Sequence, residues 1–342
     1  MNLYCVLHRG GALFLAAVFF AVLPFSLSAV ETMGGHGAAQ GQRGSFFPGI
    51  YFTDTINASR RAEDASPYWV RTQAEQEVYE RRVTDYASIL LNNDILAYYG
   101  HPRSRVMGIL GRYPMEELYR QLTVTAGNYE AISGGRGIKK AFYIIYGTVW
   151  PQGAIGYISN ELLTQWIEFA LEHDMLVFID HQIGRFDPVE SVRKLYPWLR
   201  YPNVHLAFDP EWRTPRPMQE IGHVTAAEIN RIQQEMQDYM YANDIPGERL
   251  LIVHQFNWRM IRNRENVRAD FQRVRLVHCI SGIGTPQMKR DTYAYGARAT
   301  NIPIKGFKLW YDFGLSGHTD RPLMTPAQVY ALEPRPQVIM YQ

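Results

Sequence analysis

The sequence predicts an α/β fold of the (β/α)8 TIM-barrel class, with an N-terminal helical extension. Eight short apolar runs alternate with helix-like segments from about residue 105 to the C-terminus. Strict alternation calls for parallel pairing, because a crossover helix lets the next strand run the same way. The eighth run ends the chain, where it can close against the first. An open doubly wound sheet is the competing arrangement. No glycine-rich phosphate loop of the GxGxxG or GKS/T kind follows any run, which weakens that arrangement and nucleotide binding with it.

The elements follow in order. The first strand is predicted at Arg105–Gly111, then a helix from Met115 to about Gly127. The second strand is Ala141–Val149, followed by a helix over Asn160–His173 with Ser159 as N-cap and Glu161 in its first turn. The third strand is Met175–Asp180, then a helix over Pro188–Leu199 capped by Asp187. The fourth strand is Val204–Asp209. A long loop with Pro215 and Pro217 leads to the helix Ala226–Ala242, capped by Thr225. Leu250–Phe256 is the fifth strand, followed by a basic helix near Met260–Ala269. Val274–Ile280 is the sixth, followed by the loop Ser281–Gly284 and a helix over Pro286–Ala297. The seventh strand is Gly306–Asp312, the last helix Pro326–Leu332 capped by Thr325, and the eighth strand Val338–Tyr341.

Ahead of the barrel the chain divides into three parts. Residues 1–29 have the layout of a secretory signal peptide: His8 and Arg9, an apolar stretch from Ala12 to Phe25, then Ser26, Ser28 and Ala29. The stretch is short for a membrane span, so contact with a membrane is expected only through the export signal. Residues 30–49 are a leader rich in Gly, Gln and Ala. Residues 50–104 are the helical extension. Val70, Val78, Tyr79, Val83, Tyr86, Ile89 and Leu90 recur at helical spacing between Ser66 and Asn92. The barrel is then expected over 105–342, in a periplasmic or extracellular protein. Beyond the signal only Cys279 remains, so neither a disulfide nor a cysteine metal cluster is expected. The chain has 342 residues, 46% hydrophobic and 20% charged, with a formal charge of +2. That charge is too small to argue for nucleic acid.

Polar and aromatic residues gather where the strands stop, which in such a barrel is the end that carries chemistry. Alternate side chains of a strand share a face. On the fourth strand His205, Ala207, Asp209 and Glu211 fall on the inner face if the chain stays extended through Pro210. On the seventh, Lys308, Trp310 and Asp312 do so. Other strand ends add Asp180, His181 and Gln182, with Arg185 beyond, and His254 and Gln255. Lys289 follows the sixth strand, within reach of the mouth. Trp150, Trp212, Trp258 and Trp310 place four of the seven indoles at the same end, suited to sugar rings or to filling space between loops.

Asp209-Pro210-Glu211 resembles the D-x-E signature that chitinase-like and lysozyme-like barrel glycoside hydrolases carry at the end of the fourth strand. The resemblance implies Glu211 as proton donor and Asp209 as its supporting carboxylate. The longer chitinase run is not matched, because Ala207 stands where a further Asp would be expected. Asp180 or Asp312 then becomes the candidate second carboxylate. The runs Tyr99-Gly100-His101-Pro102, Asp209-Pro210-Glu211-Trp212 and His254-Gln255-Phe256 also resemble an exported bacterial family of uncharacterised proteins. The expected substrate is a polysaccharide, a cell-wall glycan or another small molecule, with no cofactor. His254, Gln255, His181, Gln182 and the four tryptophans would position it. A metal-assisted hydrolase (a phosphodiesterase or deacetylase) drawing on Asp180, His181, Asp209, Glu211 and His254 is a second reading, though no H-x-H or HExxH pair is present. A non-catalytic carbohydrate binder on the same fold is a third.

Overall fold

The computed structural model describes residues 89–314 and 319–342. The expected signal peptide, the leader and most of the extension helix lie outside the described residues; Ile89–Asn92 is helical. Among the described residues eight parallel strands form the barrel. They are β1 (Asn93–Gly100), β2 (Gly137–Val149), β3 (Leu176–Gln182), β4 (Val204–Asp209), β5 (Arg249–Gln255), β6 (Val274–Ile280), β7 (Ile304–Leu309) and β8 (Val338–Tyr341). Each pairs with its neighbours in order. β1 pairs with both β2 and β8, setting Asn93 opposite Gly137 and Ile95 opposite Val338, which closes the ring. A short antiparallel strand, Ile155–Tyr157, folds back on the end of β2.

Among the described residues six α-helices lie between the strands: α1 (Met115–Glu130), α2 (Asn160–Glu172), α3 (Pro188–Arg193), α4 (Ala226–Ala242), α5 (Pro286–Ala297) and α6 (Pro326–Tyr330). The expected caps form. The side chains of Ser159, Asp187, Thr225 and Thr325 accept from the backbone N–H of Leu162, Glu190, Glu228 and Gln328. At Thr225 and Thr325 the third helical residue returns the bond, completing a capping box. α3 stops at Arg193 instead of running to Leu199. Pro197 has no N–H for the carbonyl of residue 193, and its ring collides with it, so the chain continues as a 3-10 turn over Tyr196–Arg200.

Two predicted elements are corrected. The first strand is Asn93–Gly100, so the barrel begins at residue 93 and not 105. Arg105–Gly111 is a turn that curls back on β1, with Ile109 N–H donating to the Tyr99 carbonyl. Gly108 has φ +90° there, and a Cβ on it would lie 2.3 Å from the Tyr99 oxygen. The apolar residues of that run are partly spent on the surface, with Val106 53% exposed. The second correction is the β5–β6 crossover, which contains only 3-10 turns at Trp258–Met260 and Arg264–Asn266 instead of a basic helix. Ile261–Arg262 is drawn into a two-residue pairing with Val224–Thr225, and Asn263 adopts a left-handed φ of 53°. Side-chain amides take carbonyls that a helix would use: Asn301 those of Arg264 and Val267, Asn230 that of Asn266, and Gln233 that of Arg268.

At the N-terminal end, Asp94 fastens the closure. It is 1% exposed and accepts from Arg136 Nε (2.9 Å), Arg335 Nη2 (2.6 Å) and the Tyr330 hydroxyl (3.0 Å). Arg136 leads into β2, while Tyr330 and Arg335 lead into β8, so one carboxylate ties both partners of β1. Asp94→Ala removes the buried acceptor that Arg136, Arg335 and Tyr330 share and is expected to cost about 3 kcal/mol, read as a lower urea midpoint with an unchanged slope.

Candidate active site

The barrel interior is aromatic at mid-height. Tyr143 stacks on Phe178 (5.2 Å between centroids) and meets Tyr99 at 5.0 Å. Its hydroxyl lies 2.7 Å from His254 Nε2, so residues of β2 and β5 meet across the barrel axis. His254 is fully buried in this layer, where burial and the nearby Lys308 ammonium keep it neutral.

Towards the C-terminal ends of the strands the layer becomes ionisable. The Tyr99 hydroxyl donates to Asp180 Oδ2 at 2.8 Å, reaching from β1 to β3. Asp180 stands opposite Ala207 on β4, and Gln182 opposite Asp209. The small Ala207 leaves room beside Asp180. Lys308 of β7 lies 3.7 Å from the centroid of the Tyr99 ring and 4.4 Å from that of Trp310. The expected inner face of β4 is observed for His205, Ala207 and Asp209, and that of β7 for Lys308.

Glu211 arrives by a different route than strand alternation predicts. β4 ends at Asp209, and Pro210–Trp212 forms a 3-10 turn that Asp209 caps by accepting from Glu211 N–H at 3.1 Å. The chain later returns past this turn, where Gly222 N–H donates to the Glu211 carbonyl at 2.6 Å. Any Cβ on Gly222 would lie 2.6 Å from the Arg213 backbone, so only glycine allows that approach. Glu211 thereby stays beside Asp209, and its carboxyl group makes no side-chain hydrogen bond among the described residues.

Asp180, Asp209, Glu211 and Lys308 act on one another as a single cluster. Burial raises all three carboxyl groups. Asp180 reaches about 7, with the Asp209 charge adding to the burial and the Tyr99 hydrogen bond and Lys308 opposing it. Asp209 is raised less, because Lys308 and the Glu211 N–H stabilise its anion. Glu211 is raised furthest, to about 8, by burial and then by Asp209. Burial lowers Lys308, against the pull of the carboxylates. Three acids facing one ammonium retain protons near neutrality, and the cluster titrates as a unit.

The other predicted residues fall elsewhere. Asp312 lies beyond the end of β7, pairs with Arg321 at 2.6 Å, and is not among the charges acting on the cluster. Strand periodicity does not extend past Leu309. His181 alternates away from Asp180; its Nδ1 lies 2.8 Å from the Gln182 carbonyl and its ring packs on Tyr157. Gln255 also faces outward, and its Oε1 takes bonds from Arg264 and lies 2.8 Å from His278 Nε2. Gln182 braces the rim by accepting from Val149 N–H at 2.8 Å. Lys289 does not reach over the mouth: it is buried against Asp320 (2.9 Å) and the Gly282 and Lys308 carbonyls. Trp310 flanks Lys308 and donates to the Ser281 carbonyl. Trp150 and Trp258 are exposed after β2 and β5, and Trp212 is partly exposed beside Glu211. Among the described residues no three His, Cys, Asp or Glu side chains converge at a spacing that could hold a metal ion.

Tyr99 and Tyr143 were missed as site residues. Tyr99 was hidden by the misplacement of β1. Tyr143 was legible, since it shares the inner face with Ala141 and Ile145 on a strand already located.

No family model matches the sequence, and no curated protein matches it. Among solved structures the chain is similar to a chitinase from Chromobacterium violaceum, at 11% identity and a TM-score of 0.34, covering 63% of this chain and 68% of that one. It is also similar to a broad-specificity endoglucanase of the GH5-4 group from Clostridum cellulovorans, at 10% identity and a TM-score of 0.39, covering 66% and 77%.

The raised carboxyl groups carry a stability signature. Their folded-state proton affinity exceeds that of the unfolded chain, so their contribution is fully present below about pH 4 and is lost as pH rises through about 8. Glu211→Gln should therefore leave the melting temperature unchanged near pH 4 and raise it at pH 9. Equal shifts at both values in scanning calorimetry would contradict the raised proton affinity of Glu211.

Proposed function

We propose that this chain is an exported glycoside hydrolase that cleaves a glycan by carboxylate acid/base catalysis. The observation that carries the reading is the cluster itself. Two strand ends and one turn bring three acids of different proton affinity into one cup, and the acid raised furthest has a carboxyl group without a hydrogen-bond partner among the described residues. Glycosidic cleavage requires that division of labour: one group protonated at working pH, another ionised.

In this reading Glu211 gives its proton to the glycosidic oxygen as the C–O bond breaks, and the bonding electrons leave with that oxygen. Asp180, oriented by Tyr99, faces the positive charge developing at the anomeric carbon, either by bonding to it or by activating water. Asp209 stays ionised beside Lys308, and its field keeps the proton on Glu211. The exposed Trp150 and Trp258 and the partly exposed Trp212 offer flat faces to flanking sugar units. Among the described residues the metal-assisted alternative has no converging ligand set to support it. A non-catalytic binder would use the same cup and indoles without turnover.

Glu211→Gln is expected to lower kcat by about 10²–10⁴-fold on a soluble dyed polysaccharide while leaving KM within a few-fold, and Asp312→Asn to leave both unchanged. A wild-type protein without turnover on any glycan, yet binding one, would replace the hydrolase reading with the binder. The profile of kcat/KM should be bell-shaped, falling above about pH 8 as Glu211 loses its proton. Asp209→Asn removes the neighbouring negative charge, so its alkaline limb should move to lower pH. A limb that stays in place or moves up would assign the acid to another group.

A further inference from the structure

The acid/base roles give Lys308 no contact of its own with the substrate. Lys308 is 3% exposed and rises from β7 between the Tyr99 and Trp310 rings. Among the described residues it forms no ion pair and no side-chain hydrogen bond, although its charge acts on Asp180, Asp209 and Glu211. On β3, Asp180 Oδ1 is buried without a hydrogen-bond partner among the described residues, its other oxygen being held by Tyr99. Buried donors and acceptors left open carry a desolvation cost that a bound group can relieve.

We propose that Lys308 and Asp180 form a binding pair for the hydroxyl groups of an uncharged sugar, and that the substrate class is a neutral glycan. This rests on the hydrolase reading only for the ligand being a carbohydrate. A hydroxyl both accepts and donates, so it takes a bond from the ammonium and gives one to the carboxylate. A uronic acid presents an ionised carboxylate, which only accepts, gives no bond to Asp180 and would face the ionised Asp209. An amino sugar presents an ammonium, which only donates and would face Lys308. Tyr99 and Trp310 exclude water from the flanks of the amine, so a misplaced charge gains no solvent relief. Lys308 acts here on the substrate and not on the scissile bond.

Isothermal titration of Glu211→Gln separates the possibilities without turnover. The probes are hexasaccharides of glucose, xylose and mannose, with hexagalacturonate and hexaglucosamine as the charged counterparts. At least one neutral oligomer is expected to bind, and both charged oligomers at least tenfold more weakly. Adding Lys308→Met should weaken neutral-oligomer binding at least tenfold. Binding of a charged oligomer as tight as the neutral one, no binding by any neutral oligomer, or unchanged affinity in a folded double variant would each overturn the proposal. If the Lys308 variant does not fold, the comparison of ligand classes on Glu211→Gln alone decides. Neutral oligomers that bind as expected but are not cleaved by the wild-type protein would defeat the hydrolase reading and leave this pair standing.

Discussion

The constraint on which everything else depends is the closure of β1 against both β2 and β8. Opened between β1 and β2, the sheet would put Tyr99 on one edge and Asp180 one strand in from the other. Closure brings a phenol from β1, a carboxylate from β3 and an amine from β7 into one interior, although they lie far apart in sequence. It also removes both edges of the eight-strand ring, so none of those eight strands presents an open edge. Asp94 serves the same closure at the other end, where one buried carboxylate holds the segments leading into β2 and β8. The barrel is thus secured at the end away from the acids, which leaves the acid-bearing end free to hold a costly arrangement of like charges.

Much of the architecture was legible because local chemistry and tertiary structure agree. Ser159, Asp187, Thr225 and Thr325 begin helices where their short oxygen-bearing side chains satisfy exposed N–H groups, and that logic is independent of the rest of the fold. The first strand was not legible in the same way. Its polar opening, Asn93-Asp94, looks like the end of a helix, and Asp94 is buried only because Arg136, Tyr330 and Arg335 come to it from distant positions. The apolar run Arg105–Gly111 offered a decoy, and its Gly108 serves a turn against the Tyr99–Gly100 backbone. The β5–β6 crossover failed for a related reason: amide side chains of other elements claim its carbonyls.

The site divides along the same line. Asp180 and Asp209 follow from period-two alternation on strands that were correctly placed. Asp312, His181 and Gln255 show the limits of that rule, which ends where a strand ends and sends neighbouring residues to opposite faces. Glu211 reaches the cup through a capped turn that depends on Gly222, a residue eleven positions further on that no pattern links to it. The value of Lys308 is a matter of surroundings. A lysine in a strand says little until two aromatic rings flank it and no acceptor is found for it among the described residues.

The turn over Pro210–Trp212 has one more implication. Asp209 Oδ1 holds the N–H of the very residue whose proton its charge retains. Shape and protonation are thereby wired to the same oxygen. A proton arriving on Asp209 would weaken its grip on the turn and its field on the neighbouring acid together. Protonation of Asp209 would therefore loosen one small bend and lower the proton affinity of Glu211 in the same step, while the barrel around it stays closed.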